Sequence, residues 1–150
     1  MPNHPTRRPV LFGAALLTAS SGEAAAQGDA KSLVLAFYQQ CFVEGRVAEA
    51  FARFVGPRYT QHNPRVADGP EPAIAFLSKN RADNPELRSE LKRVIAEGDL
   101  VMLHTHSRRS PAERGVAIVD IFRVEGGRIV EHWDVIQPVP EAAANPNGMF

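Results

Sequence analysis

The sequence predicts a single α+β domain in which helices precede a mainly antiparallel sheet. Two observations predict it. Before Pro85, apolar residues recur at three- and four-residue spacing; after Pro85 they fall into runs rich in Val, Ile, His, Phe and Trp, parted by short turns. A run of helices followed by a run of strands is the order of helices packed on one face of a curved sheet. Such a sheet has a concave face, and helices laid over it enclose a pocket.

Residues 1–26 read as an export signal. Arg7 and Arg8 make a basic start, residues 10–19 form an apolar stretch, and Ala24, Ala25 and Ala26 supply small residues before Gln27. The run from Thr6 to Leu11 also resembles a twin-arginine signal, with Val10 where Phe is preferred. No Cys follows the apolar stretch, so a lipid anchor is not expected, and the mature chain is expected in the periplasm or outside the cell.

The mature domain is expected over residues 27–137. Leu33, Phe37 and Cys41, with Val34 and Tyr38 beside them, give a first helix one apolar face, and Gly45 stops it. Val47, Ala50, Phe51 and Phe54 predict a short second helix, broken at Gly56-Pro57. Residues 59–64 read as a loop or irregular edge and Asp68-Gly69-Pro70 as a turn. A third helix is expected over 71–81, with Ile74 and Leu77 inward and Asn84-Pro85 ending it. Strands are expected over about 87–95, then 100–108, 116–124 and 128–137, the last two joined by a hairpin at Gly126-Gly127. Residues 138–150, rich in Pro and Asn, are expected to be a flexible tail.

Composition excludes several classes. The chain has 150 residues with 17 basic and 17 acidic, so it lacks the basic field that nucleic acid or an anionic membrane selects. Apolar residues make up 44%, ordinary for a globular domain. One cysteine, Cys41, allows no intrachain disulfide and no multi-thiolate zinc site. It lies on a helical apolar face and is expected to be an inert core thiol. No apolar run reaches the length of a membrane span.

Asp120 is the sharpest polar residue. It interrupts an otherwise apolar strand, and alternation puts Ile118, Asp120 and Phe122 on one face. If that face lines the pocket, burial raises the carboxyl pKa and makes it a proton-transfer group; the alternative is a solvent-facing or ion-paired carboxylate. The connection after the strand of His104 and His106 centres near residues 110–113, which sets His104 roughly across from Asp120 as an orienting partner. His62, between Gln61 and Asn63, belongs to the loop expected to cap the open end of the sheet. In Glu131-His132-Trp133-Asp134, one face carries Glu131 and Trp133 and the other His132 and Asp134; which is inward depends on the turn, since a one-residue slip reverses the strand. A His-x-His metal site is the weaker alternative, for no acidic residue adjoins the pair at ligand spacing. No phosphate loop, nucleophile elbow or dinucleotide fingerprint occurs.

Two blocks, Tyr59-Thr60-Gln61-His62-Asn63-Pro64 with Asp68-Gly69, and residues 119–135 (VDIFRVEGGRIVEHWDV), resemble the SnoaL-like polyketide cyclases of the nuclear transport factor 2-like superfamily, nearest the aldol condensation-catalysing subgroup. The resemblance spans about residues 29–137. It implies a conical barrel of three helices on a strongly curved sheet, with a deep hydrophobic pocket. It also implies catalysis without metal or organic cofactor. Asp120 would be the general acid/base, His104 its neighbour-strand helper and His62 a residue of the pocket mouth. Tyr38, Tyr59, Gln61, Asn63, Phe122 and Trp133 would contact substrate. The implied reaction on a small apolar carbonyl compound is enolate formation, leading to aldol condensation, cyclisation or isomerisation. A homodimer paired through the outer sheet face is expected, with Ala117, Val119 and Ile121 as its apolar stripe. The competing function is an exported protein that binds a small apolar molecule in the same pocket without turnover. A buried, histidine-paired Asp120 favours catalysis; a dry pocket lacking that pair favours binding.

Overall fold

A computed structural model describes residues 21–150, with side chains from Asp29 onward. Residues 1–20, most of the expected export signal, lie outside the described residues. The order is α1 (Ser21–Tyr38), a π-helical turn (Gln39–Val43), α2 (Val47–Phe54), β1 (Val55–Gln61), α3 (Pro70–Asp83), β2 (Arg88–Glu97), β3 (Leu100–Arg108), β4 (Val116–Glu125) and β5 (Arg128–Pro138). The strands form one open sheet in the order β1-β5-β4-β3-β2. Three helices cover its concave face, so the predicted α+β architecture holds, with the cone left open between β1 and β2. Among the described residues no helix is long and apolar enough to cross a membrane.

The apolar periodicities explain the core. Phe37 of α1, 1% exposed, meets Phe51 and Phe54 of α2, Phe42 of the π turn and Phe122 of β4, all edge-on with ring centres 5.5–6.4 Å apart. Val34, Val101, Leu103 and Ile129 close around this cluster. Burying each such side chain is worth roughly 1.5–3 kcal/mol, which ties both first helices to the sheet.

One expectation needs correcting. Gly56-Pro57, expected as a break, lies within a strand and, of the loop or irregular edge expected from residue 59, the edge holds: residues 55–61 form β1, parallel to β5, with Thr60 against Glu131 and Gln61 against His132. Gly56-Pro57 falls in the irregular stretch between Val55 and Thr60, on a sheet edge where proline's missing N–H costs no ladder bond. The tail after Pro138 has no regular structure and touches the sheet at two places. Val139 N–H donates to the Gly115 carbonyl at 3.0 Å, and the Phe150 ring stacks on His106 at 4.2 Å and His104 at 5.5 Å on the outer sheet face. At the opposite edge, β2 alternates charge into solvent through Arg88, Glu90, Lys92 and Arg93.

Gly115 opens β4 at φ +77°, and a Cβ there would collide with the Ser107 carbonyl and the Arg108 side chain. Gly126 in the β4–β5 hairpin also has positive φ (+56°), with open space around it. Gly126→Ala should therefore cost only the left-handed strain, about 1 kcal/mol, while Gly115→Ala should cost about 2–4 kcal/mol by adding a backbone clash. Denaturant melts of the two variants side by side check this ordering.

Candidate functional site

The concave face and the helices enclose a cavity of about 560 Å³, within the range that holds a small organic molecule. Strand register builds its polar floor. Across the sheet, Leu103, Asp120 and Asp134 are partners in one row, and Val101, Phe122, His132 and Gln61 in the next. Asp120 and His132 are thus diagonal neighbours on one face, close enough for their side chains to meet.

They do meet. His132 Nε2 lies 3.1 Å from Asp120 Oδ1, both residues being 8% exposed. On the other side of the ring, Nδ1 lies 2.9 Å from Gln61 Oε1. That oxygen also accepts the backbone N–H of Asn63 at 2.9 Å, so it is the amide oxygen and not the nitrogen. Nδ1 must then carry a hydrogen and donate it to Gln61. Nε2 is left to share the second proton with the carboxylate. Burial pushes the Asp120 pKa up, opposed by the hydrogen bond and charge of His132, while the Asp134 carboxylate adds to the rise. Asp134 in turn accepts Asn63 Nδ2 at 2.6 Å. One carboxylate is held by an amide and the other by an imidazole in apolar walls, an arrangement that separates their tasks.

Asp120, His132 and Asp134 also bring ligand atoms within 4.8 Å of one another, the set a metal ion would use. In this arrangement Nε2 faces Asp120 Oδ1, so His132 could bind a cation only by giving up that contact, while Asp134 keeps one oxygen on Asn63 and has the other to offer.

Of the residues expected to touch substrate, Tyr38, Tyr59, Gln61, Asn63 and Phe122 line the cavity. Tyr38 is 4% exposed, and its hydroxyl makes no hydrogen bond among the described residues. Burial and then the Asp120 charge hold both Tyr38 and Tyr59 well above the ordinary phenol range, so they remain donors. Cys41 is buried in the cavity wall, its thiol pushed up to about 12, chiefly by burial. It is an unreactive wall group there, in keeping with a core thiol.

Three expected site residues lie elsewhere. His104 pairs with Val119, and Leu103 is the residue across from Asp120, a slip of one position that turns the imidazole to the outer face. There His104 Nδ1 is 3.1 Å from Arg93 Nη1. His62 follows Gln61 on an alternating strand end and so points outward, 42% exposed at its side chain; its Nε2 is 2.9 Å from Glu131 Oε1. Trp133 is on that outer face too, stacked under His62 with ring centres 4.8 Å apart and beneath Arg123. Glu131 accepts Arg123 Nε at 2.9 Å, and Arg123 reaches Asp99 at 2.6 Å, a tie that fastens the loop after β1 to the sheet. His62 and its hydrogen bond are the first cause of a lowered Glu131 pKa.

His132 was the partner that sequence reasoning missed. The signal was present: in Glu131-His132-Trp133-Asp134, the pair His132 and Asp134 shares a face. Deciding that this face is inward requires the β4–β5 register, including its irregularity between Arg123 and Val124, which no residue spacing reveals.

Residues 32–144 match the family model described as SnoaL-like polyketide cyclase. Among solved structures, TsrD from Streptomyces laurentii is similar with a TM-score of 0.59 and 24% identity, over 73% of this chain and 89% of that one. A candidate ketosteroid isomerase from Kribbella flavida aligns at TM-score 0.62 and 18% identity, over 81% and 85%. A SnoaL-like protein of unknown function from Burkholderia thailandensis aligns at 0.61 and 15%, over 74% and 96%. These likenesses report the fold. No curated protein matches the chain in sequence.

The Gln61 oxygen fixes a measurable tautomer. Nitrogen-15 NMR of His132 should show a protonated Nδ1 at every pH at which the fold is intact. Gln61→Leu removes the acceptor, and the hydrogen should move to Nε2, where Asp120 can take it. A wild-type ring protonated at Nε2 alone would mean that the proton logic of the site runs the other way.

Proposed function

The chain belongs to the SnoaL-like polyketide cyclase family, whose members are small-molecule enzymes of cyclase and isomerase type, and on that premise we propose that it is a cofactor-independent acid/base enzyme acting on a small, largely apolar carbonyl compound through an enolate. The observation that carries this is the buried Asp120 carboxylate, hydrogen-bonded to His132 at 3.1 Å and facing an apolar cavity.

The groups divide the work as follows. Asp120 in its ionised form removes a proton from the carbon next to the substrate carbonyl: the C–H bond breaks, an O–H bond forms, and the electron pair moves to the carbonyl oxygen. The Tyr38 hydroxyl, a buried donor without a partner, supplies a hydrogen bond to that oxygen as charge develops on it. The enolate carbon then attacks a second carbonyl of the folded substrate, closing a ring or joining two pieces, or it is reprotonated at another carbon by Asp120, which gives isomerisation. His132, anchored by Nδ1 on Gln61, keeps the shared proton on Nε2 and so holds Asp120 ionised until it takes the substrate proton, which Asp120 then gives to the new alkoxide oxygen or to the second carbon. The aromatic walls from Phe37, Phe51 and Phe122 exclude water and hold the substrate in a reactive shape.

We propose further that the mature chain is exported and pairs as a homodimer through the outer sheet face. Two apolar rows support the pairing: Ile95, Met102, Ile121 and Trp133 lie in register, with Val119 and Val135 beside them. Ile95 is 56% and Val135 68% exposed, which is large for apolar strand residues in a lone chain. Sedimentation should give a dimer at tens of micromolar, roughly where a standard interface holds, and Val135→Lys should give monomers with the site intact. N-terminal sequencing of protein from its native host should begin near Gln27.

Asp120→Asn tests the chemistry. The Asn amide can donate to Nε2, so the pair's shape survives while the base is lost, and turnover should fall roughly 10²–10⁴-fold. Stability should not fall. The Asp120 pKa is raised on folding, so its contribution to stability declines as pH rises from the ordinary carboxylate range through the folded value, and above that the buried charge is a net cost. The variant should melt at or above the wild-type temperature at neutral pH. In the wild type, kcat/KM should drop as pH falls through the apparent pKa of the Asp120–His132 pair, at a pH above the ~3.9 of a free aspartate. A variant that folds normally with full turnover would remove Asp120 as the base. A native protein inert towards every enolisable carbonyl offered, yet binding them, would return the chain to the exported binding function.

A further inference from the structure

The cavity is chemically lopsided. Its floor holds the two carboxylates, Asp120 and Asp134, among aromatic walls. Its rim holds four arginines: Arg65 in the loop after β1, Arg81 on α3, and Arg109 and Arg114 in the β3–β4 connection. They arrive from three separate parts of the chain, so the cluster is made by the fold and not by a basic run. The protein as a whole is neutral, with 17 basic and 17 acidic residues, which makes this opening a local departure.

Their hydrogen bonding is incomplete. Arg114 Nη2 is 3.1 Å from Glu141 Oε2, and Arg81 Nη1 donates to the Leu87 carbonyl at 2.8 Å. Arg65 and Arg109, both exposed, have no acidic side chain within ion-pair distance among the described residues. Glu113 is the one carboxylate on the rim, against four guanidinium groups.

We propose that the substrate is an amphipathic carboxylate, held with its charged end among Arg65, Arg109 and their neighbours and its enolisable carbonyl at Asp120. The proposal rests on the enzymatic function above and adds the class and orientation of the substrate. Two forces give the orientation. Guanidinium forks attract and pair a planar carboxylate at the rim. The floor carboxylates repel the same group, so the reversed pose places like charges together in a dry site. Arginines around an apolar mouth also steer anions inward and raise their rate of entry.

A pair of fluorescent probes of one shape tests it: anilinonaphthalene sulfonate, an aromatic anion, and phenylnaphthylamine, the same aromatic body without charge. Each should displace the other, showing one shared cavity. The anion should bind roughly tenfold more tightly at about 0.01 M salt, where charges act over ~30 Å, and lose most of that preference at about 1 M, where they act over ~3 Å. Arg65→Gln with Arg109→Gln should erase the preference while leaving the neutral probe within about twofold of wild type. As displacing ligands, naphthylacetic acid should outcompete both its methyl ester and naphthyl phosphate.

Equal affinity for the two probes, or a preference that survives the double variant, overturns the proposal. Displacement best by the phosphate overturns the assignment of a carboxylate. None of these measurements needs turnover, so a lost charge preference alongside a working, Asp120-dependent enzyme would sink this inference alone. Charge preference that persists with no turnover would sink only the enzymatic function.

Discussion

The site depends on one hydrogen bond that involves no charged group: the Asn63 backbone N–H to the Gln61 side-chain oxygen. With that oxygen orientation set, the ring of His132 has one allowed proton position on the Gln61 side, and the opposite nitrogen must face Asp120. The carboxylate's environment follows in turn. An aspartate in an ordinary solvent shell would be a weak base; a buried one whose partner is an imidazole with its other proton already committed shares a single mobile proton between two atoms. The turn at Gln61-His62-Asn63 therefore controls acid–base character at β4, three strands of the sheet being spanned by two side-chain contacts.

Strand β5 makes this possible. It pairs antiparallel with β4 and parallel with β1, so its inward residues touch side chains that are remote in sequence on both sides. Its outward residues do different work. Glu131 and Trp133 bind His62 and Arg123, which fastens the same turn from behind. The strand thus carries alternating duties along its length, with polar chemistry inside and an ionic clamp outside, and the clamp keeps the Gln61 turn against the sheet.

Much of this fold was legible because helix and strand periodicities bury different sets of residues. Phe37, Phe51 and Phe54 announced the helical face that packs on Phe122, and Asp120 stood out because an ionisable group in an apolar strand is costly to bury without purpose. What failed was register. Placing the β3–β4 connection half a residue off its true centre exchanges Leu103 for His104 opposite Asp120, and a strand has no tolerance for that error. β1 was legible only as an alternative, an irregular edge from residue 59, for a different reason: its pairing with β5 is parallel, short and interrupted around Gly56-Pro57, and its sequence carries turn-forming residues that only an edge position tolerates. His62 shows a third kind of limit. A histidine beside a site in sequence is turned away from it by simple alternation, while its neighbours Gln61 and Asn63 enter.

The two edges of the sheet have a bearing on how copies of this chain can meet. β2 lines its free edge with Arg88, Glu90, Lys92 and Arg93, and β1 presents a proline and a break in the ladder on the other side. Neither offers the uninterrupted row of bare amides and carbonyls on which an incoming strand is templated. Growth of the sheet sideways, the route to fibrils, meets alternating charge at one edge and a broken ladder at the other. The pairing proposed above uses the sheet face and leaves both edges untouched, so it has no means of propagating from one copy to the next along the hydrogen-bonding direction.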